Sequence, residues 1–228
     1  MAEEKDLSGI EDVIALIAPI ISHEVRNPLA IIGNSSYFIK AKLGKDGKID
    51  PKVERHLRII EIELAHANDV FTKIIGYARM PEAKPEPVPL AALLESAVMG
   101  FDGVKTDAGA AGKKEVSADA ELAKTSIRNA VENAVQAAGD GEKNDGKGKV
   151  RVTAKIAGKR AVIEVADDGP GIPEEARPRM FLPFNTTKPR GIGMGLAYAR
   201  KALSRQNGDI ELVDSKKGAR FTISLPLA

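Results

Sequence analysis

The 228 residues predict a chain of two parts, an antiparallel helical hairpin over residues 1–81 and an α+β sandwich over residues 82–228. Three features predict it: a long heptad seam, a cluster of prolines behind the seam, and strand-like runs that alternate with helices beyond the prolines. The seam is Val53, Leu57, Ile60, Leu64, Ala67, Phe71, Ile74 and Ala78, spaced alternately by four and three residues. That period keeps one apolar stripe turned toward a neighbouring helix. Two helices alone enclose a poor core, so the seam predicts that two hairpins associate into a dimeric four-helix bundle. The alternative is that it buries against the second half of the chain.

Composition narrows the function classes. The chain carries 34 basic and 32 acidic residues, a net charge of +2, which predicts no nucleic-acid partner. It has no cysteine, which excludes disulfides, iron–sulfur clusters and thiolate zinc and fits a reducing compartment. The longest strongly apolar run, Val13 to Ile21, is broken by Pro19 and falls short of the roughly 20 residues a membrane span needs. Acidic residues ahead of it argue against a signal peptide. The expectation is a cytoplasmic protein, or the soluble part of something larger.

Taken in order, Ile10, Val13, Ile17 and Ile20 begin the first helix and lead into Ser22-His23-Glu24-Val25-Arg26-Asn27-Pro28. His23 and Asn27 lie four apart, one above the other on a helix, within reach of one ligand. A histidine that accepts phosphate would be set out this way. Glu24 diverges from His23 by roughly 100° around the helix, so it reaches the imidazole only along a bent path. Pro28 has no N–H and disfavours helical geometry at Asn27, which predicts a bend beside the histidine. Residues 44–51 are turn chemistry, with Asp50-Pro51 a cap and first turn for the second helix. His56 and His66, ten apart on that helix, lack a metal-ligand spacing and read as ordinary flank residues.

Met80 to Pro89, with prolines at 81, 85, 87 and 89, reads as a linker or edge segment. Helix signals follow at Leu90–Met99, Asp119–Ala138 and Ile192–Gln206. Strand signals fall at Val150–Ile156, Ala161–Ala166, Asp209–Val213 and Arg220–Leu225. Residues 101–114, rich in glycine and alanine, give little signal of either kind.

Three segments of the second part suggest a ligand site. Asn129 and Asn133 stand at i and i+4 on one side of a helix, where amide oxygens suit a hard cation and amide NH2 groups suit phosphate; alone they read more simply as two solvated asparagines. Val165-Ala166-Asp167-Asp168-Gly169-Pro170-Gly171 ends a strand in a glycine turn. It leaves Asp167 able to accept from the exocyclic amine of adenine, or simply to close a turn. Thr186-Thr187-Lys188 precedes Gly191-x-Gly193-x-Gly195-Leu196, a glycine run that opens a helix and can expose backbone N–H groups to phosphate. It is not the dinucleotide fingerprint, because the third glycine comes one position early and no strand leads in. Gly141 to Gly148 approaches a P-loop but has Gly148 in place of the hydroxyl residue and follows a helix, so it is rejected.

In this order and spacing the segments resemble the sensor histidine kinases of two-component signalling, over essentially the whole chain. Ser22 to Pro28 resembles the H box, Asn129 and Asn133 the N box, and Asp167-x-Gly169-x-Gly171 the G1 box. Met180-Phe181-Leu182-Pro183-Phe184 and the following Thr-Thr-Lys resemble the F box, and Gly191-x-Gly193-x-Gly195 the G2 box of the GHKL (Bergerat) ATP-binding fold. The resemblance implies that His23 takes the γ-phosphoryl of ATP and passes it to an aspartate on a response-regulator receiver domain. Glu24 would polarise the histidine, and Asn27 would orient water for dephosphorylating the regulator. Asn129 and Asn133 would hold Mg2+ and phosphates, and Asp167 the adenine amine, with Gly169 and Gly171 at the ring's edge. Lys188, Gly193 and Gly195 would hold the phosphate end, with Thr187, Gly191 and Leu196 completing the nucleotide set.

The segment between Phe184 and Gly191 is a very short lid, similar to that of nitrogen-regulation-like kinases. No sensor module or membrane span is recognisable, so the resemblance implies a homodimeric core whose sensor is a separate or removed module. Two other classes compete. A phosphotransfer scaffold with a degenerate GHKL domain is disfavoured by the intact Asp167, asparagines and glycines. A GHKL ATPase acting as a conformational clamp is disfavoured by the histidine hairpin and by Asn129, where such ATPases usually carry a glutamate base.

Overall fold

The computed structural model describes residues 9, 13–19, 24–43, 49–139, 149–188, 191–215 and 217–228. The chain divides into two compact units, Met1–Met80 and Pro81–Ala228. His23, the turn residues 44–48 and the P-loop-like stretch 141–148 lie outside the described residues.

In the first unit residues 13–19 are helical, and Glu24 and Val25 form a π turn that leads into α1 (Arg26–Leu43). Pro28 has no N–H to give the carbonyl of Glu24 four residues back, and the widened turn falls at that carbonyl. The expected irregularity is therefore a π turn just ahead of the proline. α2 (Pro51–Ala78) starts as its sequence predicts, with Pro51 in the first turn and Asp50 accepting from the Lys52 N–H at 2.8 Å. The two helices run antiparallel. Arg26 donates to Thr72 Oγ1 at 3.3 Å near one end, and Lys40 pairs with Glu61 at 2.9 Å toward the other. Between them Gly33 faces Leu64, where an added Cβ would sit 3.6 Å from Leu64 Cδ1. Within one chain the seam is only half covered: Leu57 and Ile74 are 4 % and 7 % exposed, whereas Val53 and Ile60 are each 38 % exposed.

The second unit is a mixed five-stranded sheet with helices on one face. Its strands are β2 (Val104–Asp107), β4 (Val150–Ala157), β5 (Arg160–Asp167), β6 (Asp209–Val213) and β7 (Arg220–Pro226), in the order β2-β4-β5-β7-β6. Among the described residues only the β2–β4 pair of this sheet is parallel. A separate ribbon pairs β1 (Glu86–Pro89) with β3 (Glu115–Ala118). α3 (Leu90–Val98), α4 (Ala120–Gly139) and α5 (Gly195–Ser204) pack together, with α4 against β4 and β5 and α5 against β6. Strict alternation turns Ala161, Ile163 and Val165 of β5 and Phe221, Ile223 and Leu225 of β7 into one core with Ile127, Ala130, Val131 and Ala134 of α4.

Two segments left open by the sequence are settled and one expectation is corrected. Residues 101–114 do hold structure, the edge strand β2 and a 3-10 turn over Gly109–Lys113. β2 has one half-buried residue, Val104, and three exposed ones, so it carries no apolar alternation. The proline segment takes the edge reading over the linker one, pairing as β1, and it is anchored: Pro81 O accepts from Arg205 Nη1 at 2.7 Å and Asp119 Oδ2 accepts from the Lys84 N–H at 3.1 Å. Asp119 in turn caps α4 through the Leu122 N–H and is held by the buried Gln206, whose Oε1 accepts from the Asp119 N–H at 2.8 Å. Finally, α5 begins at Gly195, three residues later than the apolar pattern suggests.

Candidate functional site

The end of β5, one side of α4 and the loop entering α5 meet at one end of the sheet. Asp167, the last residue of β5, is 8 % exposed. Its Oδ1 accepts from the Gly169 N–H at 2.9 Å and the Ala219 N–H at 3.2 Å, while its own N–H donates to Ala219 O at 3.0 Å. Among the described residues Oδ2 receives no hydrogen bond. Burial pushes the Asp167 carboxyl above its usual value of 3.8; the N–H groups of Ala219 and Gly169 pull it back, neighbouring Asp168 adds to the rise, and Lys188 opposes it. Asp168 behaves oppositely. The Lys149 N–H at 2.8 Å, and then Lys217 at 3.4 Å, hold it below 3.8.

Two glycines make this geometry possible. At Gly218 (φ +66°) an added Cβ would strike the Asp167 carbonyl, so only a residue without a side chain lets β7 close on the carboxylate. At Gly193 (φ +69°) a Cβ would lie 2.5 Å from the Asn185 backbone, which folds the loop back on itself before α5 and delays that helix. Gly169 and Gly171 form the turn beyond Asp167, Gly169 against the carbonyl of Ala137 and Gly171 against that of Gly218.

Asn129 and Asn133 are half-buried on the same side of α4. Gly195, at the start of α5, lies against Asn129, its notional Cβ 3.7 Å from Asn129 Cγ. Asn133 Oδ1 accepts from Lys188 Nζ at 3.0 Å, and the same ammonium donates to Gln136 Oε1 at 2.7 Å. Lys188 comes from a tight turn in which its N–H donates to Thr186 Oγ1 at 3.1 Å and its carbonyl accepts from the Gly191 N–H at 3.0 Å. Thr187 is exposed in that turn, and Leu196 packs against the core. Phe181 anchors the approach, edge-on to Phe221 at 6.4 Å with the Arg200 guanidinium 4.9 Å from its ring centre.

The structure thus brings Asn129, Asn133, Asp167, Gly169, Gly171, Lys188, Gly191, Gly193 and Gly195 into one neighbourhood of the second unit. Glu24 and Asn27 are exposed residues of the first. Sequence reasoning missed Gln136, Gly218 and Ala219. Gln136 had a signal, since it follows Asn133 by three residues on the same helix; the other two are distant in sequence from everything they touch. The assembled site holds a buried acceptor, helix-borne amides and a loop-borne ammonium, which suits a ligand with an amine-bearing plane at one end and anionic oxygens at the other.

Residues 118–228 match the family of histidine kinase-, DNA gyrase B-, and HSP90-like ATPases. The nitrogen regulation protein NtrY of Azorhizobium caulinodans is 28 % identical over 218 residues, covering 92 % of this chain and 28 % of that protein. The signal transduction histidine-protein kinase AtoS of Escherichia coli is 28 % identical over 236 residues, covering 100 % of this chain and 36 % of that protein. Full-length ShkA, solved in complex with AMPPNP, superposes with a TM-score of 0.69 at 26 % identity over 92 % of this chain and 45 % of its own. The chain spans about a third of the length of these two curated relatives.

Proposed function

We propose that this chain, a member of the sensor histidine kinases with an ATPase domain at residues 118–228, is a kinase core that phosphorylates its own His23 from ATP and donates to a response-regulator aspartate. The observation that carries the reading is the meeting of buried Asp167 with the Lys188–Asn133 contact in a domain of that ATPase family. A ring nitrogen of His23 attacks the γ-phosphorus, a P–N bond forms as the P–O bond to ADP breaks, and the proton on the other ring nitrogen passes to the Glu24 carboxylate. Catalysis of this kind is mostly positioning and charge neutralisation. Asp167 accepts from the adenine amine, Gly169 and Gly171 leave room for the ring, and Lys188 with the backbone around Gly193 and Gly195 meets the phosphates. Thr187, Gly191 and Leu196 complete that wall. Glu24 polarises the imidazole, and Asn27 orients water when the regulator is dephosphorylated.

Mg2+ fits this donor set. No group of three or more acidic or imidazole ligands exists among the described residues. The neutral amides of Asn129 and Asn133 suit an ion that binds largely through substrate phosphates and water, and when bound it neutralises phosphate charge. Incubation with γ-labelled ATP and Mg2+ tests the reading and should give protein-bound label that is acid-labile and alkali-stable. ATP binding without label would favour a conformational clamp instead.

The half-covered seam of the first unit supports a homodimer. Ile60 at 38 % exposure has no complete apolar surround within one chain, and a second hairpin would supply it. Ile60→Glu is expected to halve the mass found by sedimentation while leaving ATP affinity within about twofold, because the second unit has its own core. An unchanged mass would show that the seam is not the dimer contact. Pro28→Ala, which restores a donor to the Glu24 carbonyl, is expected to remove the π turn and shift the ratio of kinase to phosphatase activity. An unchanged ratio would reduce Pro28 to a local irregularity.

A further inference from the structure

We propose that Gln136 is a positioning residue of the nucleotide site: its side-chain carbonyl fixes the Lys188 ammonium beside Asn133, so that a charge carried by a loop reaches the phosphates at a defined place. The proposal rests on the kinase reading above and adds a residue that none of the sequence motifs includes.

α4 contributes amides to this side of the site, Asn129, Asn133 and Gln136, and the positive charge arrives from the loop. A lysine on a short turn sweeps a wide volume, and holding its stem costs rotamer freedom. Two acceptors on one rigid helix offset that cost. The shorter of the two bonds is the one to Gln136, 2.7 Å against 3.0 Å to Asn133. The Gln136 amide is itself oriented: its Nε2 donates to Glu132 Oε1 at 3.3 Å, one turn back, which turns the carbonyl toward the lysine. Glu132, Gln136 and Lys188 therefore form a relay that ends at Asn133. Its reach extends further, because the Lys188 charge is felt at the Asp167 carboxylate. Gln136 itself is exposed and lies outside the apolar core, so it can be changed without opening a cavity.

The test is calorimetric titration of the full chain with ATP and, separately, with adenosine. Gln136→Ala should weaken ATP about tenfold, the scale of one hydrogen bond to a charged group, and leave adenosine and the thermal midpoint unchanged. Lys188→Ala should weaken ATP at least as much, and adding Gln136→Ala to it should cost nothing more. That non-additivity is the readout a merely structural role would not give. ATP affinity equal to wild type in Gln136→Ala overturns the proposal. So does a further loss in the double variant, which would mean that Gln136 meets the nucleotide itself. If the wild-type chain binds neither ligand, the kinase reading falls and the proposal falls with it.

Discussion

His23→Gln is expected to reduce phosphoryl label from γ-labelled ATP to background while ATP affinity stays at the wild-type value. Glutamine retains polarity and similar length but has no nucleophilic ring nitrogen, so the variant removes the acceptor and little else. The chain has three histidines, and the other two provide the control. His56 is exposed and His66 half-buried on α2, neither of them beside a carboxylate–amide–proline arrangement like that of residues 23–28. A phosphoramidate hydrolyses in acid and survives alkali, whereas a phosphoserine or phosphothreonine does the reverse. The stability of any residual label therefore identifies its chemistry. The nucleotide site lies in a unit with a separate core, so the variant should bind ATP as well as wild type does. Acid-labile label that persists in His23→Gln would move the acceptor to His56 or His66 and remove the assignment of His23.

Periodicity revealed what periodicity encodes. The α2 seam, the Asp50-Pro51 start, and β4, β5 and β7 are all written in local spacing, because a helix or a half-buried strand must repeat at its own period to cover one face. β2 escaped because it is an edge strand with exposed Lys105, Thr106 and Asp107, held by pairing to β4 more than by burial. β1 was legible only as a linker or edge segment, because its four residues include Pro87 and Pro89, tolerable only in a ribbon open on one side. The start of α5 was misplaced since the apolar run continues through Ile192, while Gly193 must first turn against Asn185. For the site, Asp167, the asparagines and the glycines were legible as residue types. Their partners were not: Lys188 reaches Gln136 across 52 positions, and the Ala219 N–H reaches Asp167 across another 52. Only the closing of the sheet and the folding of the short loop onto α4 make those contacts, and no local spacing records them.

Asp167→Asn should abolish measurable ATP binding and yet leave the protein at least as stable as wild type at neutral pH. The asparagine carbonyl can keep both bonds that Oδ1 now accepts, from Gly169 and Ala219, so the turn is preserved. Its NH2, however, replaces the oxygen that receives no bond among the described residues, setting a donor where the adenine amine also donates. A lost charged hydrogen bond plus an unpaired buried donor amounts to about 3 kcal/mol or more, at least about 100-fold in affinity. Stability follows from the sign of the carboxyl shift. Burial raises the folded-state value above 3.8, so the native protein holds this proton more tightly than the unfolded chain does. The contribution of the protonated form is fully present below the unfolded value and is lost as pH rises through the folded one. Asparagine never ionises and escapes that loss. The thermal midpoint of the variant should therefore match or exceed wild type at neutral pH, and the gap should narrow as pH falls toward 3.8. Wild-type ATP affinity should weaken over the same acid range, as protonation removes the acceptor. Asp168, held low by the Lys149 N–H, contributes the opposite slope: its stabilisation is present above 3.8 and lost as pH falls through its folded value, which the variant shares with wild type and which cancels in the difference. Undiminished ATP affinity in Asp167→Asn would mean that the adenine lies elsewhere, and a variant less stable than wild type at neutral pH would mean that the ionised carboxylate holds the β5–β7 junction together.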